Sequence, residues 1–149
     1  MIDFQKLKKL RKETDVSFSL CKKALEEAKD DLEKAKKLLQ QWGANELKSK
    51  AEKVAKEGAI FSYVHHNGKV ASLVELFCET DFVAANSQFK ELGKNIAMQI
   101  ASLNPQSLAE LLDQDYIKDP TKKIADLINE AVLKFGEKIQ VGQFIRWAI

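Results

Sequence analysis

The side chains that most often carry chemistry are few in this chain and are poorly arranged for it. Cys21 and Cys78 lie far apart and neither belongs to a Cys-x-x-Cys pair, which argues against a zinc site or a disulfide framework. The neighbours His65 and His66 would point to opposite faces of a strand, which is poor geometry for joint metal ligation. No serine or cysteine has a recognisable base and orienting group, and no phosphate-binding loop is present. We therefore expect a protein that is not an enzyme and that uses no cofactor and no metal.

A short segment near the middle of the chain combines a hydroxyl, a carboxylate and an aromatic ring. This TDFV segment consists of Thr80, Asp81, Phe82 and Val83. Taken alone, it could be an ordinary helix start that Thr80 caps and Asp81 stabilises through the helix dipole, with both apolar side chains packed inward. Alternatively, Asp81 and Phe82 face a partner protein, while the two flanking residues of the segment are structural.

Three short amphipathic helices are predicted before this segment. In the first helix the apolar stripe consists of Phe4, Leu7 and Leu10. Ser17 is an expected N-cap for the second helix, and Gly43 is expected to end the third. Helices this short are not stable alone, so their apolar faces should meet in a three-helix module over residues 1–43. Residues 44–57 are rich in Lys and Glu, and we interpret them as a connector helix.

Residues 58–149 have a different pattern, with β-branched and aromatic runs followed by amphipathic helices. Two of the runs flank an Asn-Gly pair at residues 67–68, a strong hairpin signal that would pair Val64 with Ala71. Residues 138–147 resemble a last strand. Because an isolated hairpin is marginally stable, we expect this strand to join it in a three-stranded antiparallel sheet packed with helices. The predicted fold class is α+β.

The composition excludes some functional classes and leaves others open. The chain has 149 residues, of which 45% are hydrophobic and 31% charged, as in one compact soluble domain. No run approaches the roughly 18 apolar residues of a membrane span, and no signal peptide is recognisable, so we expect a cytoplasmic protein that contacts no membrane. The basic N-terminal helices interleave lysines with glutamates and lack interspersed aromatic residues, so we expect no nucleic-acid binding. A pure adaptor, whose helical module binds another protein, stays open.

Two segments resemble the bacterial elongation factor Ts family of translation factors. Residues 10–25 contain the elements Leu-Arg-x-x-Thr and Cys-Lys-Lys-Ala-Leu at the family's spacing, and residues 75–83 end with the TDFV segment. Trp-Gly-Ala at residues 42–44 and Lys-Phe-Gly-Glu-Lys-Ile at residues 134–139 extend the resemblance over nearly the whole chain. It implies a small ubiquitin-associated-like three-helix module followed by an α+β core, in agreement with the periodicity.

The resemblance also implies a function and the residues that perform it. The family acts on the GTPase elongation factor Tu as a guanine-nucleotide exchange factor, promoting GDP release during translation elongation. The TDFV segment would insert near the nucleotide and the magnesium ion of the GTPase, with Phe82 as the wedge and Asp81 beside it. Arg11, Phe18 and Ser19, around the loop between the first two helices, would contact the nucleotide domain of the GTPase. From the residues alone, Phe18 could equally be buried in the core of the module.

Several positions depart from the family's pattern. Between the first two helices, small glycines and methionines are replaced by Asp15, Ser17, Phe18 and Ser19. Ala85 stands where a basic residue is common, and Gly142 and Gln143 replace paired arginines of the closing strand. Residues 104–120 are too short for the coiled-coil insertion of longer members, and the chain has room for one α+β unit. We therefore expect two copies to pair as a homodimer, through the sheet edge or the closing strand.

Overall fold

Three helices form the N-terminal part of the chain in this computed structural model, which describes residues 2–149. They are α1 (Phe4–Thr14), α2 (Phe18–Glu27) and α3 (Leu32–Ser49). The side chains of Asp3, Ser17 and Asp31 accept backbone N–H groups at the three helix starts, so the predicted cap at Ser17 is confirmed. The apolar faces of the helices meet in one buried cluster, which contains Leu7, Leu10, Val16, Cys21, Ala24, Leu25, Ala28, Ala35 and Leu39.

The predicted helix end at Gly43 and the separate connector helix at residues 44–57 are wrong. α3 continues through Gly43 to Ser49, and residues 50–56 are turns and irregular chain that lead into the first strand. Gly43 has no positive φ and lies against the backbone carbonyl of Asn129, where a Cβ atom would collide. The glycine therefore allows a close approach between two helices and does not stop one.

The predicted three-stranded antiparallel sheet is confirmed. Its strands are, in their order across the sheet, β1 (Glu57–Val64), β2 (Val70–Cys78) and β5 (Gln140–Ala148). The hairpin pairs Val64 with Ala71, as predicted, and Gly68 in the turn has a φ of 72° that favours glycine. The last strand pairs with β2, which places the hairpin and the C-terminal segment in one sheet.

Helices pack against one face of this sheet, so the α+β fold class is confirmed. The helices of this part of the chain, whose apolar side chains share the buried cluster beneath the sheet, are α4 (Asp81–Ala84), α5 (Ser87–Leu103), α6 (Leu108–Asp113) and α7 (Ile124–Phe135). α5 lies across β1 and β2, and Gly93 of α5 lets the ring of Phe61 approach its backbone. Between α6 and α7 the chain forms a small hairpin of β3 (Asp115–Tyr116) and β4 (Asp119–Lys123), where the sequence predicted only a break. None of the helices in residues 2–149 is long and apolar enough to cross a membrane.

α3 and α7 pack along each other and connect the two parts of the chain. Leu133 of α7 packs on the N-terminal cluster, whereas Leu47 of α3 packs on the cluster beneath the sheet. Beside them the buried carboxylate of Glu130 pairs with Lys122 at 2.9 Å and accepts a 2.6 Å hydrogen bond from Gln40. The division into an N-terminal module and a core stays a prediction, which the two separate hydrophobic clusters support.

Candidate protein-binding site

The TDFV segment forms a single exposed helical turn directly after β2. Thr80 is the N-cap of α4, and its hydroxyl oxygen accepts the N–H of Val83 at 3.3 Å. Val83 is half-buried against the core cluster, whereas Asp81 is exposed and the side chain of Phe82 is 85% exposed. The segment is thus a capped helix start, but its aromatic ring points to solvent and does not pack inward.

Two glutamates tie this turn to the chain just before β5. One carboxylate oxygen of Glu137 accepts the backbone N–H groups of Glu79 and Thr80, both at 3.0 Å. The other oxygen accepts the hydroxyl of Thr80 at 2.6 Å. In return, the carboxylate of Glu79 accepts the N–H of Lys138 at 2.6 Å. The turn that carries Phe82 is therefore hydrogen-bonded to a segment nearly 60 residues further along the chain.

The cysteine beside this turn is not set up as a nucleophile. Cys78 is buried at the end of β2, and its Sγ donates to the carbonyl of Thr80 at 3.2 Å. Burial raises the pKa of the Cys78 thiol to about 11, and the nearby charges of Glu137 and Glu57 contribute. A thiol with this pKa is almost entirely protonated at neutral pH, which fits a structural role. Within residues 2–149 there is also no cluster of three or more side chains that could hold a metal ion.

The residues predicted around the first interhelical loop lie on the surface of the N-terminal helices. Arg11 and Ser19 are exposed, and the ring of Phe18 is 44% exposed, so it is not part of the buried cluster. Phe4, which periodicity placed on the buried stripe of α1, is 54% exposed, and its ring centroid lies 6.5 Å from that of Phe18. The ammonium group of Lys8 lies 5.1 Å from the Phe4 ring centroid. Two adjacent aromatic rings with basic neighbours thus form a patch here, which we call the Phe4–Phe18 patch.

The departures from the family's pattern have local structural explanations at two places. Asp15 ends α1 in the left-handed conformation, with a φ of 55°, which aspartate tolerates better than most residues. In β5, a side chain at position 142 would collide with Phe77 and Glu75, so glycine fits there. The carboxylate of Glu75 accepts the N–H of Gln143 at 2.7 Å, where the pairing of β2 with β5 shifts register. The register shift therefore coincides with the glycine at position 142 and with the hydrogen bond from Gln143 to Glu75.

One face of the sheet is apolar and uncovered. α5 packs on the face that carries the core residues, and no helix described in residues 2–149 packs on the other face. The uncovered face presents exposed apolar side chains from all three strands: Ile60, Val64, Leu73, Ile145 and Trp147. The register places Val64, Ala71 and Trp147 in one row across the strands. Exposed apolar side chains grouped on one face are typical of an interaction surface.

Two residues of the site were not recognised from the sequence as functional. Phe4 satisfies the helical period of α1, but it is not part of the buried cluster. Only its position next to Phe18 identifies it, and that depends on tertiary structure. Glu137 belongs to a segment that carries the family resemblance, yet its hydrogen bonds to Glu79 and Thr80 span 57 or more residues of sequence.

Comparison with known proteins agrees with this architecture. Residues 79–149 match the family model described as elongation factor Ts, and residues 2–53 match the model described as elongation factor Ts, mitochondrial, N-terminal. Elongation factor Ts of Thermotoga maritima is 38% identical over 191 residues, covering 99% of this chain and 96% of that protein. The proteins of the same name from Thermodesulfovibrio yellowstonii and Thermoanaerobacter sp. strain X514 are 38% and 36% identical, each over 99% of this chain and over 96% and 94% of their own length.

These alignments are longer than the 149 residues of the chain, so the relatives contain internal residues that have no counterpart here. The aligned region nevertheless reaches from the first helix to the last strand. The chain therefore belongs to the elongation factor Ts family of translation elongation factors.

Proposed function

We propose that this protein is a guanine-nucleotide exchange factor that promotes the release of GDP from elongation factor Tu. Membership of the family supports the partner and the role. The observation that carries the proposal is the ring of Phe82, which is 85% exposed on a capped turn. An aromatic ring contributes little to stability when it is this exposed, whereas such rings are frequent anchors of protein interfaces.

Nucleotide exchange requires no covalent chemistry from this protein. It requires a surface that binds the nucleotide-free GTPase more tightly than the GDP-bound GTPase, because equal affinity for both states shifts nothing. Phe82 enters a pocket near the nucleotide, with Asp81 beside it, and displaces the elements that hold the magnesium ion of the GTPase. The contacts between metal and phosphate then loosen and GDP leaves. Thr80 and Val83 hold the turn, and the magnesium ion belongs to the partner.

The N-terminal helices supply a second contact with the nucleotide domain. Arg11, Phe18 and Ser19 are exposed together around the loop between α1 and α2, and Phe4 enlarges the apolar area next to Phe18. An exposed aromatic pair bordered by Lys8 suits a partner surface that is apolar at its centre and acidic at its rim. This contact contributes affinity, while the TDFV segment distinguishes between the two nucleotide states.

The uncovered sheet face supports a homodimer. Two copies can stack these faces, as in a sandwich of aligned sheets, and bury the apolar side chains of both protomers. Ile145 and Trp147 of the closing strand contribute to this face, in line with the expectation from the sequence that the closing strand takes part. The second copy then adds a second α+β unit to the assembly.

The experiment that tests the exchange function measures release of fluorescently labelled GDP from elongation factor Tu, with catalytic amounts of this protein and excess unlabelled nucleotide. We expect acceleration by the wild type and a loss of at least about 30-fold in kcat/KM for Phe82→Ala, as for a central interface anchor. Ile117→Ala is the matched control, since Ile117 is 38% exposed in the turn between β3 and β4 and outside both proposed contacts. A folded wild type that leaves GDP release unchanged would favour an adaptor.

A further inference from the structure

Glu137 lies beneath the TDFV turn and has no role in the exchange scheme so far. Its two carboxylate oxygens accept three hydrogen bonds, all from Glu79 and Thr80 at the start of that turn. We infer that Glu137 is a positioning residue, which fixes the direction in which Phe82 leaves the protein. This inference rests on the proposed exchange function.

The TDFV turn is short and only partly packed on the core. α4 has four residues, fewer than an isolated helix needs to be stable. Its most apolar side chain, Phe82, is exposed and provides no packing, and Val83 is only half-buried. Val83 and Ala84 pack on the core cluster, whereas the backbone before Phe82 is held by hydrogen bonds to the Glu137 carboxylate.

The Glu137 carboxylate accepts backbone N–H groups just beyond the end of the strand pairing. The last paired residue of β2 is Cys78, so the N–H groups of Glu79 and Thr80 lie beyond the strand ladder. Both donate to the same oxygen of Glu137, and hydrogen bonds to an ionised carboxylate are stronger than neutral ones. The chain is thus held at the point where it changes from strand to helix, immediately before Phe82.

The third hydrogen bond fixes the cap itself. The Thr80 hydroxyl donates its proton to Glu137 at 2.6 Å, which leaves the lone pairs of the oxygen free to accept the N–H of Val83. Without Glu137 the hydroxyl proton can turn elsewhere and the side chain can change rotamer. The cap of α4, and with it the direction of Phe82, therefore depends on this carboxylate.

The segment that contains Glu137 and Lys138 is itself held by hydrogen bonds. The carboxylate of Glu79 accepts the N–H of Lys138, next to Glu137. The ammonium group of Lys138 donates to the carbonyls of Ala51 and Lys53, in the chain that follows α3. Glu137 thus lies in a segment that is hydrogen-bonded both to the TDFV turn and, through Lys138, to the chain that follows α3.

The test compares wild-type Glu137 with Glu137→Ala and Glu137→Gln. Each of the three is made in two backgrounds, one with Phe82 and one with Phe82→Ala. Affinity for nucleotide-free elongation factor Tu is measured as well as GDP release, because residual binding through the N-terminal helices keeps the double variants measurable. Glu110→Ala is the matched control, since Glu110 also accepts a backbone N–H, at 3.1 Å from Gln106, but at the start of α6.

With Phe82 present, we expect Glu137→Ala to lower kcat/KM and affinity about tenfold, as for the loss of charge-assisted hydrogen bonds, and Glu137→Gln to lower them less. In the Phe82→Ala background the same substitutions should change affinity less than about twofold, since a positioning residue acts only through the ring it positions. Hydrogen exchange of the Glu79 and Thr80 amides should accelerate in Glu137→Ala. Glu110→Ala should change none of these.

Three results would overturn the inference. Wild-type exchange by Glu137→Ala, with Phe82→Ala inactive, would reject the role of Glu137 and leave the exchange function standing. An equal loss in both backgrounds would mean that Glu137 acts by another route. If Glu137→Ala does not fold, the same measurements are made on Glu137→Gln and Thr80→Val, each with and without Phe82. An undiminished affinity of both variants for the GTPase would reject the inference. A Phe82→Ala variant that releases GDP as fast as the wild type would instead refute the proposed function.

Discussion

At the scale of single residues, the four residues of the TDFV segment lie in two different environments. Thr80 and Val83 face the protein, whereas Asp81 and Phe82 face solvent. Helix-capping preferences alone could not separate the two interpretations, because a capped turn is compatible with an inward or an outward ring. The exposure of Phe82 depends on how α4 sits on the core, which is a tertiary property.

Phe18 provides a residue-scale prediction. Phe18→Ala should weaken binding to elongation factor Tu about tenfold, because a half-exposed ring at an interface is worth roughly 1–2 kcal/mol. Its effect on thermal unfolding should be small, since the ring is 44% exposed in the free protein. Titration calorimetry measures the affinity, with Leu108→Ala as a control of similar exposure outside the patch. Unchanged affinity in Phe18→Ala would remove Phe18 from the proposed contact.

At the scale of elements, the helix and strand pattern was largely predictable, and the largest error concerns Gly43. A glycine after an apolar stripe is a common C-cap, so the sequence favoured a helix end there. The structure uses the missing side chain for contact between α3 and α7, a purpose that local sequence does not encode. The small hairpin of β3 and β4 was missed for a related reason, because its short strands lack the alternation of a half-buried strand.

Gly43→Ala tests whether this glycine is required for helix packing, because the sign of the change in the free energy of unfolding differs between a simple helix position and a packed one. At a simple helix position the alanine would stabilise the protein by up to about 1 kcal/mol through helix propensity. Against the Asn129 carbonyl it should instead destabilise by about 2 kcal/mol, because the helices must move apart. Urea unfolding measures this, with the exposed α3 residue Gln41 changed to Ala as the control. A stabilised Gly43→Ala variant would contradict the packing explanation.

The buried pair of Lys122 and Glu130 supplies a pH-dependent prediction for the same junction. Burial raises the pKa of Glu130 above its ordinary value of 4.5, and Lys122 opposes this shift. Lys122→Met should cost about 3 kcal/mol at neutral pH, because it leaves a buried carboxylate without its cation. Without Lys122, the pKa of Glu130 in the folded state rises further above its value in the unfolded chain. The carboxylate is then protonated in the folded state as the pH falls from neutral towards that unfolded pKa, so the loss of stability in Lys122→Met should become smaller.

Urea unfolding at a series of pH values measures this dependence. Lys123→Met is the matched control, because Lys123 pairs with Asp113 on the surface, where ion pairs contribute little. A loss in Lys122→Met that is the same at pH 5 and at pH 7.5 would show that its cause is not the charge of Glu130.

At the scale of the whole molecule, the uncovered sheet face is the feature that a single chain does not explain. The sequence predicted a three-stranded sheet and a homodimer, but it did not predict that all three strands would expose apolar side chains on one face. Which face a strand residue occupies follows from alternation, whereas whether a helix covers that face depends on the complete packing. The pairing of two copies stays a proposal that this face supports.

Trp147→Lys tests the pairing. Trp147 is 67% exposed and lies in one row with Val64 and Ala71, so a charge there should oppose stacking of two faces without disturbing the core. Sedimentation velocity should show a dimer for the wild type and a monomer for Trp147→Lys. Lys69→Met, which changes a charge in the exposed hairpin turn, should leave the dimer intact. A wild-type monomer that exchanges nucleotide at full rate would contradict the proposal.

The proposed exchange mechanism requires that this protein distinguish nucleotide-free from GDP-bound elongation factor Tu. The most direct test measures its dissociation constant for the GTPase without nucleotide and with saturating GDP and magnesium. We predict that GDP weakens binding by well over tenfold, and by linkage that this protein weakens GDP binding by the same factor. Equal dissociation constants in the two conditions would contradict the exchange mechanism, because a binder indifferent to the nucleotide cannot accelerate its release by shifting the equilibrium.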